Sequence, residues 1–205
     1  MRVVAALCSV AIAFAAPSAL ACYNGMRLNQ LERTENLVAK ASAAYRDGKY
    51  GEAVKLTEST LKLDGLSATD RRALLRTHGL ASLKLGHFQQ SVTSFGALNA
   101  EKKEPFVQAK LAEAQLRGGL VAGDGDGAAK AALEKLAADG LLADADAWTA
   151  LALGRLKDGD PAGAKAACDE ALKVQPEHPE ATQVLAGLMP KVKPSAGPTA
   201  QSPKS

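Results

Sequence analysis

ADAWTALALGRLKDGDPAGAKAACDEALKVQPEH, residues 145–178, is the stretch whose reading decides the fold. Trp148, Leu151, Ala152 and Leu156 recur at three- and four-residue intervals, which gathers apolar side chains on one face of an α-helix. Lys157-Asp158-Gly159-Asp160 reads as a turn. Ala164, Cys168, Ala171 and Leu172 then repeat the helical spacing until Pro176 stops it. The unit is 34 residues long, and neither helix can bury its stripe alone. Such a hairpin needs neighbours of its own kind.

The upstream chain supplies them. Asn29 and Glu32 form a capping box, after which Leu31, Thr34, Leu37, Val38, Ala41, Ala44 and Tyr45 share one face. Arg46-Asp47-Gly48-Lys49 turns the chain, and Tyr50, Ala53, Val54, Thr57 and Leu61 make a second helix that ends near Asp64-Gly65. Gly48 suits the turn because a helix commonly closes on a left-handed residue, which glycine adopts without Cβ strain. Ala53, Ser91, Ala129 and Ala164 mark a recurring position, separated by 38, 38 and 35 residues.

On these marks, residues 34–67, 72–105 and 145–178 resemble tetratricopeptide repeats (TPR). The marked positions are Trp148, Ala152, Gly159, Ala164, Cys168, Ala171 and Pro176 in the last unit. They are Leu37, Ala41, Gly48, Tyr50, Ala53, Thr57 and Thr60 in the first, with Gly65 in place of the proline. In the second they are Leu75, Gly79, Gly86, Phe88, Ser91, Phe95 and Leu98. Residues 106–143 read as a divergent repeat, with helices near 104–117 and 127–138 and a turn stretched to GGLVAGDGDG; the alternative is a break between two helical pieces. Residues 179–189 read as a capping helix that covers the last apolar face. The resemblance implies an all-α, right-handed TPR-type solenoid of about four helical hairpins plus that cap, a domain over 29–189. From Pro190 to Ser205 four prolines fall in 16 residues, the composition of a disordered Pro-rich tail.

Composition agrees. Aromatic residues are 4% of 205, and Ala and Leu dominate, favouring close-packed helices over a β-sandwich. The net charge is +3, or +2 once residues 1–21 are set aside, which lends no support to nucleic-acid binding.

Residues 1–21 carry one charge, Arg2, an apolar run from Val3 to Ala16, and Ala19-Leu20-Ala21. That is the pattern of a bacterial secretory signal peptide. The run is shorter than the roughly 20 residues that span a bilayer, and Pro17 interrupts it. The expected product is an exported protein, periplasmic or secreted, with residues 22–28 as a short lead. Cys22 would become its first residue. A lipoprotein signal ends in the same way but has Leu three residues earlier, where Ala19 stands here, so lipidation of Cys22 in an outer-membrane lipoprotein is the alternative; membrane attachment is expected only in that case. A bridge from Cys22 to Cys168 would have to cross the whole array, so Cys168 reads as a small core residue.

No catalytic motif is present, and the expectation is no enzyme, no cofactor and no metal. His78, His87 and His178 are scattered without partners at metal spacing. Asp124-Gly125-Asp126-Gly127 fails as a calcium loop, because Ala122 and Leu133 fall where the first and last ligands belong; Asp126 instead suits capping of the following helix.

The resemblance implies a concave face, lined by the first helices, that binds a peptide or partner helix. Carried over, it marks Val38, Ser42, Tyr45 and Arg46; Arg76, Leu80, Leu83 and Lys84; Ala109, Glu113, Leu116 and Arg117; and Thr149, Leu153, Leu156 and Lys157. A basic residue precedes the turn in each unit (Arg46, Lys84, Arg117, Lys157), each behind a large apolar one (Tyr45, Leu83, Leu116, Leu156). Such a ladder suits an acidic or amphipathic peptide, although a cation there also complements the helix dipole. Val38 and Ser42 stand where the family's carboxylate clamps have Lys and Asn, so a clamp of that kind is not expected. The expected function is a protein–protein interaction scaffold or adaptor in the bacterial envelope. The alternatives are a lipoprotein that assembles a pilus, secretin or barrel, and a non-catalytic regulatory subunit of an envelope enzyme.

Overall fold

The computed structural model describes residues 33–123 and 127–188. The signal-peptide pattern, Cys22, the capping box at Asn29–Glu32, Asp124–Asp126, residue 189 of the cap and the Pro-rich tail all lie outside these residues. The regular secondary structure of the described residues is α-helix, joined by short turns: α1 (33–46), α2 (Tyr50–Leu61), α3 (Ala68–Lys84), α4 (Phe88–Glu101), α5 (Pro105–Ala122), α6 (Gly127–Ala138), α7 (Ala145–Lys157), α8 (Pro161–Val174) and α9 (Pro179–Leu188). Each helix packs on its successor along the chain from α2 to α9, while α5 also meets α7 and α7 meets α9.

Three of the hairpins close in the same way. After α1, α3 and α7, Gly48, Gly86 and Gly159 take φ of 75°, 74° and 77°. The amide one residue further on reaches back five residues, as Lys49 N–H to Ala44 O at 2.9 Å, His87 N–H to Ser82 O at 2.8 Å and Asp160 N–H to Arg155 O at 2.9 Å. This satisfies a carbonyl that the helix end would otherwise leave open. The starts of α3, α7 and α8 are capped by side chains: Ser67 accepts from Asp70 N–H, Asp144 from Ala147 N–H and Asp160 from Gly163 N–H.

The third hairpin departs from the sequence expectation. α5 does not end at Arg117 but runs to Ala122, and Gly118 and Gly119 are helical. The turn therefore begins at Gly123, with φ 86°, and most of GGLVAGDGDG is helix. Packing explains the glycine: a Cβ on Gly118 would stand 3.2 Å from Phe88 Cβ, so a bare backbone lets α5 lie close to α4.

The core is uneven. From α5 to α9 it is a continuous set of Ala, Leu and Cys, including Leu116, Leu133, Leu151, Ala164 and Cys168, with Trp148 and Leu156 packed against it. Trp148 Nε1–H also donates to Leu142 O at 2.8 Å. The first half has two smaller clusters, one around Ala44, Ala53, Val54 and Ala81 and one around Phe95, Leu98 and Val107. Thr57, Thr60, His78, Ser82, Ser91 and Ser94 are buried among them. Cys168 is a free, buried thiol, pushed up in pKa by burial.

Small residues set the closest approaches. A Cβ on Gly79 would lie 2.7 Å from Phe95 Cε2, and Phe95 is wholly buried. Gly79→Ala should therefore cost about 1–3 kcal/mol through overpacking. Gly96→Ala, in the same hairpin with nothing within 4 Å of its Cβ position, should instead stabilise by about 0.5–1 kcal/mol through helix propensity. Urea denaturation of the two variants checks the opposite signs.

Candidate functional site: an ion-paired concave groove

A groove of about 360 Å³ lies between α1, α3, α4 and α5 and the starts of α7 and α9. Tyr45 from α1, Leu80, Leu83 and Lys84 from α3, Phe88 from α4, and Phe106, Lys110, Glu113 and Arg117 from α5 line it. Asp144 and Asp146 come from the start of α7, and Glu180 from the first turn of α9. The spacing of 110, 113 and 117 places three charges on one face of α5.

These charges are paired with one another. Lys110 Nζ lies 2.8 Å from Glu113 Oε2, 2.7 Å from Asp144 Oδ1 and 3.7 Å from Asp146 Oδ2. Lys84 Nζ donates to Asp146 Oδ2 at 2.9 Å. Arg117 reaches Glu113 Oε1 at 3.1 Å through Nε, and its terminal nitrogens donate to both oxygens of Glu180 at 2.8 Å. This bidentate fork joins α5 to α9, and the Lys84 pair joins α3 to α7, each passing over an intervening hairpin.

The electrostatic consequences follow from burial and pairing. Burial opposes the charge on Asp146, but Lys110, Lys84 and His178 overcome it and hold the carboxyl well below the usual carboxylate range. The Arg117 fork lowers Glu180. Burial acts against the Lys110 ammonium, yet its carboxylate partners raise it above the ordinary lysine value. Burial pushes the Glu113 carboxyl up, opposed by Lys110 and Arg117.

His178 ties the cap into this network. Its Nδ1 accepts from Ala181 N–H at 3.2 Å, which leaves the proton on Nε2 to be donated to Asp146 Oδ1 at 3.0 Å. Thr149 Oγ1 lies 3.4 Å from Nδ1, so Thr149, His178 and Asp146 form a chain that outwardly resembles a catalytic triad. Thr149 is fully buried and gives its hydroxyl hydrogen to Ala145 O at 2.8 Å. The arrangement is a helix cap with no reachable nucleophile.

The sequence-derived ladder divides. Arg46, Lys84 and Lys157 each end a helix just before its turn glycine, where a cation complements the helix dipole. Arg117 does not, because α5 continues for another turn. Tyr45, Leu80, Leu83, Lys84 and Arg117 come together in the groove, and Arg76 joins its edge with its guanidinium 4.1 Å over the Phe106 ring. Arg46 is exposed at the end of α1. Leu116 is core, 2% exposed and packed against Gly154 of α7. Leu156 also packs on the core, Leu153 is half-buried, and none of Leu153, Leu156 and Lys157 lines the groove. Lys157 Nζ donates to Gly123 O at 3.1 Å and fastens the α5 terminus instead. Sequence reasoning missed Lys110, Asp144, Asp146 and Glu180. The 110/113/117 spacing was a usable signal, whereas the three acids lie at helix starts far along the chain and read locally as caps.

No protein-family profile matches the chain, and no curated protein matches it. Solved structures do. The chain superposes on "MamA MSR-1 C2" with a TM-score of 0.53 at 17% identity, over 76% of this chain and 84% of that one. For MamA from residue 41 to its end, from Desulfovibrio magneticus RS-1, the values are 0.52, 20%, 76% and 82%. The APC/C hetero-tetramer Cut9–Hcn1 gives 0.54 at 21%, over 75% of this chain and 29% of that one. The fold is thus an all-α TPR-type solenoid of helical hairpins.

Asp146→Asn should destabilise the protein by about 1 kcal/mol at neutral pH, because Lys84 and His178 lose a charged partner while the buried Lys110 keeps Glu113 and Asp144. A depressed carboxyl adds stability that is present above the unfolded pKa of about 3.9 and lost as pH falls through its lower folded value. Urea midpoints measured from pH 6 to pH 2 should therefore fall less steeply for Asp146→Asn than for the wild type.

Proposed function

We propose that this protein is a non-catalytic protein–protein interaction scaffold of the bacterial envelope, and that its concave face receives a peptide or helix of a partner. The observation that carries this reading is the groove of about 360 Å³, walled by Tyr45, Leu80, Leu83, Phe88 and Phe106 and built on a TPR-type frame. Partly exposed apolar side chains gathered in a concavity mark a recognition surface rather than a core. The envelope address rests on residues 1–21, with their single charge, apolar run and Ala-Leu-Ala end. Cys22, directly after that end, favours a second address, an outer-membrane lipoprotein that takes part in assembly.

A photo-crosslinking residue placed at Leu83 should capture a discrete partner in living cells, while one at exposed Lys165 on α8 should not. Equal capture at both positions, or none at Leu83, would sink the groove reading. Mass spectrometry of the N-terminus of the cell-derived protein separates the addresses. A chain starting at unmodified Cys22 supports export without an anchor, and an acylated Cys22 supports the lipoprotein. A chain that still begins at Met1 removes both.

A further inference from the structure

We propose that the Lys84–Asp146 pair is a latch across the concave groove, which holds its two walls together and releases them when salt screens it. The closure is a property of this chain alone; only its bearing on partner access rests on the concave-face reading above. The walls come from different parts of the array. Tyr45, Leu83 and Lys84 stand on α1 and α3, while Lys110, Asp146 and Glu180 stand on α5, α7 and α9. The second wall is firmly backed. α5 packs on α7 and α7 on α9, one apolar core runs from α5 to α9, and Lys110 and Glu113 pair at 4% exposure each. The first wall is joined to it more loosely, because α3 approaches α5 less closely than α5 approaches α7. Its links run through α4 and the small cluster of Phe95, Leu98 and Val107. Near the start of α3, Arg72 pairs with Glu104 at 3.2 Å and Arg76 lies over Phe106. Lys84 ends α3, twelve residues beyond Arg72, or about 18 Å along the helix. The joint thus lies at one end of α3 and the latch at the other.

A packed joint tied at its free end has two arrangements, tied and untied. The curvature of a solenoid is the sum of small rotations between neighbouring repeats. A change at the α3–α5 step therefore swings α1–α4 against α5–α9 and alters the width of the groove between them. The Lys110–Glu113 and Arg117–Glu180 pairs cannot act in this way, because both partners belong to the α5–α9 half. Lys84 and Asp146 belong to opposite halves and meet at 2.9 Å, with side chains 40% and 25% exposed. An ion pair so open to water is weak and is screened by dissolved ions, which makes the tie reversible. Lys84 is the moving part. When it leaves, Asp146 keeps His178 at 3.0 Å and Lys110 at 3.7 Å, so the second wall stays in place.

The test is a pair of spin-label distances, measured by double electron–electron resonance on the full chain carrying Cys8→Ser, Cys22→Ser and Cys168→Ala. Labels at Glu52→Cys on α2 and Lys173→Cys on α8 span the joint. Labels at Ala131→Cys on α6 and Lys173→Cys lie within the α5–α9 half. Lys84→Gln should shift and broaden the spanning distance and leave the inner one unchanged, whereas Lys84→Arg should retain the original distribution. Raising salt from about 0.05 M to about 0.5 M should move the spanning distance toward that of Lys84→Gln, and should move Lys84→Gln itself no further. Salt acts on the unsubstituted pair, so the result stands even if Lys84→Gln perturbs folding. A spanning distance indifferent to both salt and Lys84→Gln overturns the latch. A shift of both distances together means general loosening and overturns it as well. Either failure leaves the groove reading to the cross-link at Leu83, which holds or fails without reference to Lys84.

Discussion

The inner face of this solenoid depends on one carboxylate. Asp146 stands in the first turn of α7, where the helix dipole favours an anion, and it draws in Lys84 from α3, Lys110 from α5 and His178 from the start of α9. A repeat array is ordinarily held by contacts between nearest neighbours alone. Here long side chains cross that rule, since the Lys84 pair skips the α5/α6 hairpin and the Arg117 fork skips α7 and α8. The same charges that tie the hairpins together line the groove. The packing of the hairpins and the lining of the groove are therefore coupled at this face, whose charges are paired with one another.

Much of the fold was legible because it is encoded locally. Helical periodicity, turn glycines and small residues at recurring positions place most of the hairpins and the final helix without reference to anything distant. The one misplaced boundary, at Arg117, has a tertiary cause. Gly118 and Gly119 read as a turn because isolated helices avoid glycine, but the close approach of Phe88 makes the missing side chain useful inside α5. Context outweighed propensity at that point.

The site was legible only in part, for the opposite reason. Tyr45, Leu83 and Lys84 could be marked from their place in the repeat. Their electrostatic meaning could not, because it depends on Asp144, Asp146 and Glu180, which are 34 and more residues from the cations they meet. Lys84 and Arg117 look alike in a ladder of basic residues. In the folded chain one is an exposed cation at a helix end and the other a fork buried between two carboxylates. A pattern of like residues in sequence thus became a set of unlike environments in space.

The uneven core has a consequence for the order of events in synthesis. The first half of the chain buries threonine, serine and histidine between small apolar clusters, while the last four hairpin helices and α9 share one continuous apolar set. A ribosome releases the weaker half first. Folding of a repeat array nucleates where the local interfaces are strongest and spreads from there. In this protein that seed is complete only when α9 has emerged, so structure should propagate from the carboxyl end back toward the amino end, against the direction in which the chain is made.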